Sequence, residues 1–257
     1  MRDPHVVSLL YRAISAASTA FDHPPPVESE TDAFQMRLAD GIIKFEIKKH
    51  CASEQEARNL VEPYLRAWEI GSALRFGYRI IWFEFESATV IDRDPSPPTS
   101  RLTNIVGSIP HLSDITGTVI LSHYPSLPDK LVASPDVETM WSRFESYRAG
   151  RESLAAMGYL CLTVLETSAG GRKKAAKQYR VNLEVLSKLG FLTSEIGDAH
   201  TARKVPSNGQ FRPHTEAEVL WIKAVVSRLI RRAGEWAYDP NAMRPEIRMV
   251  DLPSLGI

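Results

Sequence analysis

Cysteine is scarce in this chain of 257 residues, which contains only Cys51 and Cys161. The two cysteines lie far apart in the sequence, so we expect free thiols rather than a disulfide. This excludes the class of small secreted proteins that disulfides hold together. A low cysteine content is also typical of a reducing compartment, and it favours a cytoplasmic location.

The chain also lacks a net charge, because 31 lysines and arginines balance 31 aspartates and glutamates. It therefore has no overall field that would attract nucleic acid or an anionic membrane, and any such binding must depend on a local basic patch. Long hydrophobic runs are missing as well, since none approaches the roughly 20 apolar residues that span a bilayer. We expect no membrane partner.

Several motifs that mark catalytic or cofactor sites are missing too. The sequence has no Cys-x-x-Cys, no closely spaced histidine pair, no Gly-x-Gly-x-x-Gly and no Gly-x-Ser-x-Gly. These patterns would indicate a metal site, a dinucleotide site or a nucleophilic serine. We therefore expect no metal and no other cofactor, and the absences favour a protein that is not an enzyme.

The length of the chain predicts more than one folded part, because 257 residues exceed the usual single-domain size of about 100–150 residues. We predict an N-terminal segment with a proline-rich spacer over residues 1–30, an α+β sheet domain over 31–128 and a mainly helical domain over 129–257. Within the first segment, the apolar spacing of residues 6–20 suits a helix, with a terminal strand as the alternative.

A hairpin and a helix give the clearest local signals of the sheet domain. Asp40-Gly41 lies between two alternating apolar runs and predicts a β-hairpin. A capping box, Ser53-Glu54-Gln55-Glu56, begins a helix that extends to about Gly71. Pro63 lies inside this helical pattern, so we expect either one bent helix or two short ones.

Strand patterns follow at residues 78–91, 102–106 and 116–123. A single helix laid across such a sheet buries one face of each element. From residue 134 onward the patterns are mostly helical. We therefore assign the chain to the α+β class, with an N-terminal, mostly antiparallel sheet and one packed helix, followed by a mainly α-helical C-terminal domain.

The helical domain begins with Ser134-Pro135, a helix start, and its first helical run ends at Gly170-Gly171. Gly150 and Gly158 interrupt this run. Each glycine inside a helix costs about 1 kcal/mol relative to alanine, so each indicates either a break or a close crossing of helices.

A second capping box at Thr215–Glu218 begins the last helix, which Pro240 ends. Residues 190–209 before it are rich in turn-forming residues, and we expect them to be irregular. Residues 247–252 after it carry a short apolar pattern that predicts a final strand.

The segment that begins at residue 172 resembles a helix-turn-helix unit over about twenty residues. In this resemblance Ala176 packs between two short helices, Val181 is the first core residue after the turn, and Leu186 and Leu189 face the core. Arg180 departs from the pattern, because it stands where a turn glycine is common.

The same segment carries the most uneven charge in the chain. Residues 172–204 contain eight basic and three acidic side chains, a net charge of +5, which would neutralise several phosphates if the charges converged. The candidate nucleic-acid-binding residues are Arg172, Lys173, Lys174, Lys177, Arg180 and Lys188. The alternative is a solvated helical hairpin that only packs against the preceding helix.

A second candidate site lies on the predicted hairpin. Glu46-Ile47-Lys48 looks like the acidic-x-Lys strand of the PD-(D/E)xK nucleases, in which two carboxylates hold a metal and the lysine positions or activates water. Asp32 or Asp40 would have to supply the second carboxylate, although neither has the usual position at a strand start. A hydrated strand face explains these charges equally well.

Core-forming patterns are abundant in this sequence, whereas no set of polar residues converges on one point. Our first interpretation is therefore a non-enzymatic interaction or structural protein with an unidentified protein partner. The alternative is a nucleic-acid-binding regulator that uses residues 172–204. The third is a metal-dependent hydrolase centred on Glu46 and Lys48.

Overall fold

The computed structural model describes residues 1–94, 103–106, 118–197 and 211–255, with only the backbone for 103–106. The chain divides into two compact units, Met1–Asp129 and Lys130–Ile257. The first unit is built around an antiparallel sheet, and the second consists mainly of helices. The α+β class that the sequence predicts is confirmed.

The described part of the first unit contains eight strands and one helix. They are β1 Pro4–Ser15, β2 Thr19–Phe21, β3 Val27–Glu30, β4 Phe34–Ala39, β5 Ile42–Ile47, α1 Glu54–Phe76, β6 Ile81–Asp92, β7 Thr103–Val106 and β8 Val119–Leu121. Six of the strands form one sheet in the order β3-β4-β5-β1-β6-β7, in which all neighbours are antiparallel. β2 and β8 pair in parallel as a separate two-stranded sheet.

The predicted hairpin is confirmed, since β4 and β5 pair in antiparallel register up to Ala39 and Ile42. Asp40 and Gly41 between them have φ of 50° and 75°, the positive values that a two-residue hairpin turn requires. Ile43 and Phe45 of β5 are buried on one face of the sheet. The hairpin therefore has the inside and outside faces that its alternating sequence predicts.

α1 is a single helix that continues through Pro63 and packs against the sheet. Ser53 caps it, because its hydroxyl accepts a hydrogen bond from the amide of Glu56 at 3.2 Å. The carbonyl that Pro63 leaves without a helical donor belongs to Asn59, an exposed residue, so water can satisfy it. This explains why the helix does not divide at the proline.

The N-terminal residues form β1, so the predicted helix over residues 6–20 is wrong and the alternative strand is correct. β1 lies between β5 and β6 inside the sheet. Its buried residues are Val6, Leu9 and Tyr11, and the pairing with β6 shifts register twice along the strand. The first shift adds Val7 to β1, whereas the second adds Glu86 to β6. The buried positions of β1 are therefore spaced by three and then by two, and the apolar spacing imitates a helix.

Five helices form the described core of the second unit: α2 Pro135–Arg148, α3 Leu154–Ala169, α4 Arg172–Gln178, α5 Leu183–Glu195 and α6 Glu216–Tyr238. α3 is the central helix, because it packs against the other four. Its side chains Met157, Cys161 and Leu165 are almost completely buried. Both cysteines of the chain are unpaired, as the sequence predicts.

The two glycines of the first helical run have different roles. Gly150 has φ of 69° and lies in the break between α2 and α3. Gly158 lies where α3 crosses α5 and α6: a Cβ added there would be 2.7 Å from Cγ2 of Thr193 and 3.3 Å from Cγ2 of Ile222. The sequence left a break and a close crossing open, and the structure contains one of each.

Two predictions for the second unit are wrong: the end of α5 and a final strand. α5 continues to Glu195, because its apolar positions extend the helix past the turn-forming residues; residues 198–210 lie outside the described part of the chain. The predicted final strand over residues 247–252 is also absent from the structure. Ile247 forms an isolated bridge with Val181, and Met249–Asp251 form a 3-10 helix.

In the part of the chain that the structure describes, no helix is long and apolar enough to cross a membrane.

Candidate nucleic-acid interface

α4 and α5 are joined by a tight turn in which Arg180 has φ of 52°. This is the left-handed conformation that a glycine usually supplies. The amide of Val181 donates to the carbonyl of Ala176 at 3.0 Å, and the amide of Arg180 donates to the carbonyl of Lys177 at 3.4 Å. This pair of hydrogen bonds is the pattern that ends a helix with a left-handed residue. The turn therefore forms although its glycine is missing.

Asn182 begins the next helix. Its side chain accepts a hydrogen bond from the amide of Glu184 at 2.9 Å, which satisfies one of the free amides at the start of α5. Only Tyr179, Arg180, Val181 and Asn182 separate the two helices. A helix-turn-helix unit has a turn of this length.

The side chains that hold the two helices together are buried: Ala175, Tyr179, Val181, Leu186 and Leu189. The core positions predicted at Val181, Leu186 and Leu189 are confirmed. The prediction that Ala176 is the small residue between the helices is wrong, because Ala175 is fully buried and Ala176 is only half-buried. Burial of Tyr179 raises the pKa of its hydroxyl.

Arg232 of α6 fixes the turn from the core side. Its Nη1 donates to the carbonyls of Tyr179, Arg180 and Pro245 at 3.0, 3.1 and 3.0 Å. The residue is only 7% exposed, and this burial lowers the pKa of its guanidinium, while Glu235 opposes the shift. Arg232 lies inside α6, which extends to Tyr238.

The segment after α6 completes the turn. The amide of Ile247 donates to the carbonyl of Arg180, and the amide of Asn182 donates to the carbonyl of Ile247, both at 2.9 Å. Each backbone group that pairs in this way avoids the cost of burial without a partner. Sequence reasoning missed both Ile247 and Arg232; the only signal was an arginine within the apolar stripe of α6.

Three of the predicted cations lie together on α4. Lys173, Lys174 and Lys177 are exposed, and they are spaced by three and four residues, so they share one side of the helix. None of the three amines has a hydrogen-bond or ion-pair partner among the described residues. These lysines are therefore free to contact an external anion.

Two of the other three predicted cations, Arg172 and Arg180, have hydrogen-bond or ion-pair partners within the unit. Arg172 forms an ion pair with Glu166 at 2.5 Å, and its guanidinium lies against Gly190, 2.8 Å from where a Cβ would be. Nε of Arg180 donates to the carbonyl of Arg244 at 3.4 Å. Arg203 and Lys204, the last two basic residues of the charged segment 172–204, lie outside the described residues.

The outer face of α5 is mixed in character. Leu183 and Phe191 are 39% and 48% exposed, and Glu184 and Ser187 are exposed beside them. The amine of Lys188 lies 5.4 Å from the centre of the Phe191 ring. This face therefore presents an amine, a hydroxyl, a carboxylate and an aromatic ring to a partner.

Comparison of the chain with protein-family models, with curated proteins and with solved structures finds no match. The geometry of the chain is therefore the basis of the functional argument. Of the two candidate segments of the sequence, the one that begins at residue 172 folds as two helices joined by a short turn.

The second candidate site lies on and just after β5. Lys44 lies 2.8 Å from Glu46, and this pair lowers the pKa of the Glu46 carboxyl. Lys48 pairs instead with Glu30 at 2.5 Å. Within the described ranges, no three histidine, cysteine, aspartate or glutamate side chains are grouped so that they could hold a metal ion. The neighbour of Glu46 is a lysine rather than a second carboxylate.

Proposed function

We propose that the chain binds duplex DNA through α4, the turn at Arg180 and α5. The observation that carries the proposal is the turn itself, with Arg180 at φ of 52° and buried residues on both sides of it. In proteins that use this unit, the second helix lies in the major groove and the first helix crosses the phosphate backbone.

In this docking geometry the two helices have separate tasks. Lys173, Lys174 and Lys177 lie on α4, the helix that would cross the backbone, and their free amines would neutralise phosphates. Ser187 and Lys188 lie on the outer face of α5, where they would contact base edges or phosphates. The charge of the patch is local, which agrees with a chain that has no net charge.

Fluorescence anisotropy with a labelled duplex of random sequence tests the proposal. Binding is expected at roughly 50 mM salt and should weaken steeply as salt rises, because counterions are released from the DNA. In a Lys173→Ala/Lys174→Ala/Lys177→Ala variant, the slope of log affinity against log salt should fall by about 3, since each phosphate contact contributes roughly 1.

A matched control is the variant Lys44→Ala/Lys48→Ala/Lys49→Ala, which removes the same charge from the first unit. It should keep the slope of the unchanged chain. Equal losses in the two variants would show that binding depends on total charge rather than on α4. Absence of binding at roughly 50 mM salt would reject the proposal, and the exposed Leu183 and Phe191 would then favour the first interpretation, a protein partner.

A further inference from the structure

A cavity of about 300 Å³ lies in the second unit between α6 and the segment that follows it. α6 contributes Arg228, Arg231, Arg232 and Glu235 to its wall, and the later segment contributes Pro245, Glu246, Ile247, Arg248 and Asp251. The volume is at the lower end of the range of about 300–1,000 Å³ that is typical of small-molecule sites. The cavity does not include the lysines of α4.

The charges in this wall do not cancel. Glu235 is shared among arginines, at 3.1 Å from Arg232 and 3.9 Å from each of Arg231 and Arg244. Asp251 pairs with Arg248 at 3.7 Å. The remaining carboxylate of the wall, Glu246, is exposed. Four arginines therefore share the cavity with three carboxylates.

Among the described residues, Arg228 and Glu246 are the two charged side chains of the wall without a hydrogen bond or ion pair, and Glu246 is exposed to solvent. Arg228 is half-buried, and in the part of the chain that the structure describes its guanidinium has no hydrogen bond or ion pair. A half-buried cation without a partner is unfavourable, because burial removes part of its hydration. An anion in the cavity would supply the missing partner.

We infer that this cavity binds a small organic anion, a phosphate monoester or a carboxylate that carries a compact apolar group. Guanidinium groups bind both kinds of anion through paired, charge-assisted hydrogen bonds. Arg228 is the cation without a partner, and the exposed Arg231, 3.9 Å from Glu235, lines the same wall. The exposed Pro245, with the small accessible part of Ile247, offers an apolar surface for the rest of the ligand.

The concave shape favours a small molecule over a DNA phosphate as the occupant. A small ligand can bury most of its surface in a cavity of this size, whereas a duplex would contact only its rim. The inference does not depend on the DNA-binding proposal, because a small anion would bind whether or not the chain binds DNA.

Isothermal titration calorimetry of the whole chain with phenyl phosphate, and separately with benzoate, tests the inference at low salt. Saturable binding with one site is expected for at least one probe, and the comparison shows which anionic group the site prefers. Benzyl alcohol, the neutral control, should bind more weakly. In nuclear magnetic resonance spectra, the amide signal of Ile247 should shift on addition of the bound probe.

The variant Arg228→Gln should weaken binding roughly tenfold or more, as expected for the loss of a charge-assisted hydrogen bond. Arg231→Gln is a second variant at an exposed position of the wall, and it should also weaken binding. Arg151→Gln removes an exposed arginine outside the cavity and should leave binding unchanged. Thermal unfolding of each variant confirms that it folds.

Three results would overturn the inference. They are no saturable binding of either anion, equal affinity in the Arg228→Gln variant, and equal affinity for benzyl alcohol. A fourth would assign the cavity to nucleic acid: displacement of the bound probe by duplex DNA, together with weaker DNA binding in the Arg228→Gln variant. Absence of probe binding in the unchanged chain, with intact DNA binding, would reject the inference alone, so the two proposals fail independently.

Discussion

Arg180 has a backbone conformation that is usual for glycine, and it also carries an exposed cationic side chain. Its backbone has φ of 52°, a conformation that costs a residue with a Cβ about 1 kcal/mol or more relative to glycine. Its side chain makes one long hydrogen bond, 3.4 Å to the carbonyl of Arg244, which offsets little of this cost. The turn is held instead by Arg232 and Ile247.

The variant Arg180→Gly should therefore raise the free energy of unfolding, by about 0.5–1 kcal/mol, because the left-handed conformation is free of strain in glycine. Urea denaturation followed by circular dichroism measures the change. Lys177→Gly, inside α4, is the matched control and should lower the free energy of unfolding by about 1 kcal/mol. A loss of stability in Arg180→Gly would mean that the side chain contributes more than the backbone costs.

Residues whose roles depend on neighbours in the sequence were predictable, and those with distant partners were not. Val181, Leu186 and Leu189 follow from helical spacing. The sequence prediction placed Ala176 in the core instead of Ala175, because two adjacent alanines do not indicate which of them faces the core. Arg232 acts through carbonyls 52 and 53 residues earlier in the chain, and no local pattern reports such a contact.

The crossing of α3 with α5 and α6 depends on Gly158. A methyl group there would lie 2.7 Å from Cγ2 of Thr193, and Thr193 is fully buried. Its hydroxyl also donates to the carbonyl of Leu189 at 2.8 Å, so the side chain cannot rotate away without losing this bond. The helices can approach only because residue 158 has no side chain.

The variant Gly158→Ala should lower the free energy of unfolding by about 1–3 kcal/mol, since overpacking outweighs the gain in helix propensity. Thr193→Ser removes Cγ2 but keeps the hydroxyl, so the double variant should recover part of the loss. Chemical denaturation of the two single variants and the double variant measures this coupling. Additive effects would contradict a direct contact between the two positions.

Elements with local start and stop signals agree with the sequence prediction. The hairpin at Asp40-Gly41 and the helices capped by Ser53, Ser134 and Thr215 are all present. β1 was missed because the bulge at Val7 alters the apolar spacing. The expected strand at residues 247–252 failed for a different reason: its apolar pattern is short, and Ile247 alone finds a partner.

At the scale of the whole molecule, each compact unit contains a core of its own. In the first unit the core joins α1 to the sheet. In the second, buried side chains of α3, α5 and α6 pack together, among them Met157, Leu189 and Ile222. Units of roughly 130 residues with separate cores are in the usual size range of domains that fold alone.

Fragments of residues 1–129 and 130–257 should therefore each fold when produced separately. Each is expected to show a single cooperative unfolding transition in thermal denaturation and dispersed amide signals in nuclear magnetic resonance spectra. As a control, a fragment cut inside α6, such as residues 130–230, should lose cooperativity because it lacks Arg232. A broad transition in either complete fragment would show that its core is not self-sufficient.

The bonds from Arg232 to the turn also fix the order in which a growing chain can complete its structure. Arg232 lies 53 residues after Tyr179. Because synthesis adds about 5–20 residues per second, roughly 3–10 s separate the two. α4 and α5 thus leave the ribosome before the arginine that fixes their turn, and Ile247 follows later still. The turn between α4 and α5 is therefore among the last parts of its unit to be completed. A chain whose synthesis stopped early would contain the residues of α4 and α5 without the bonds that fix the turn between them.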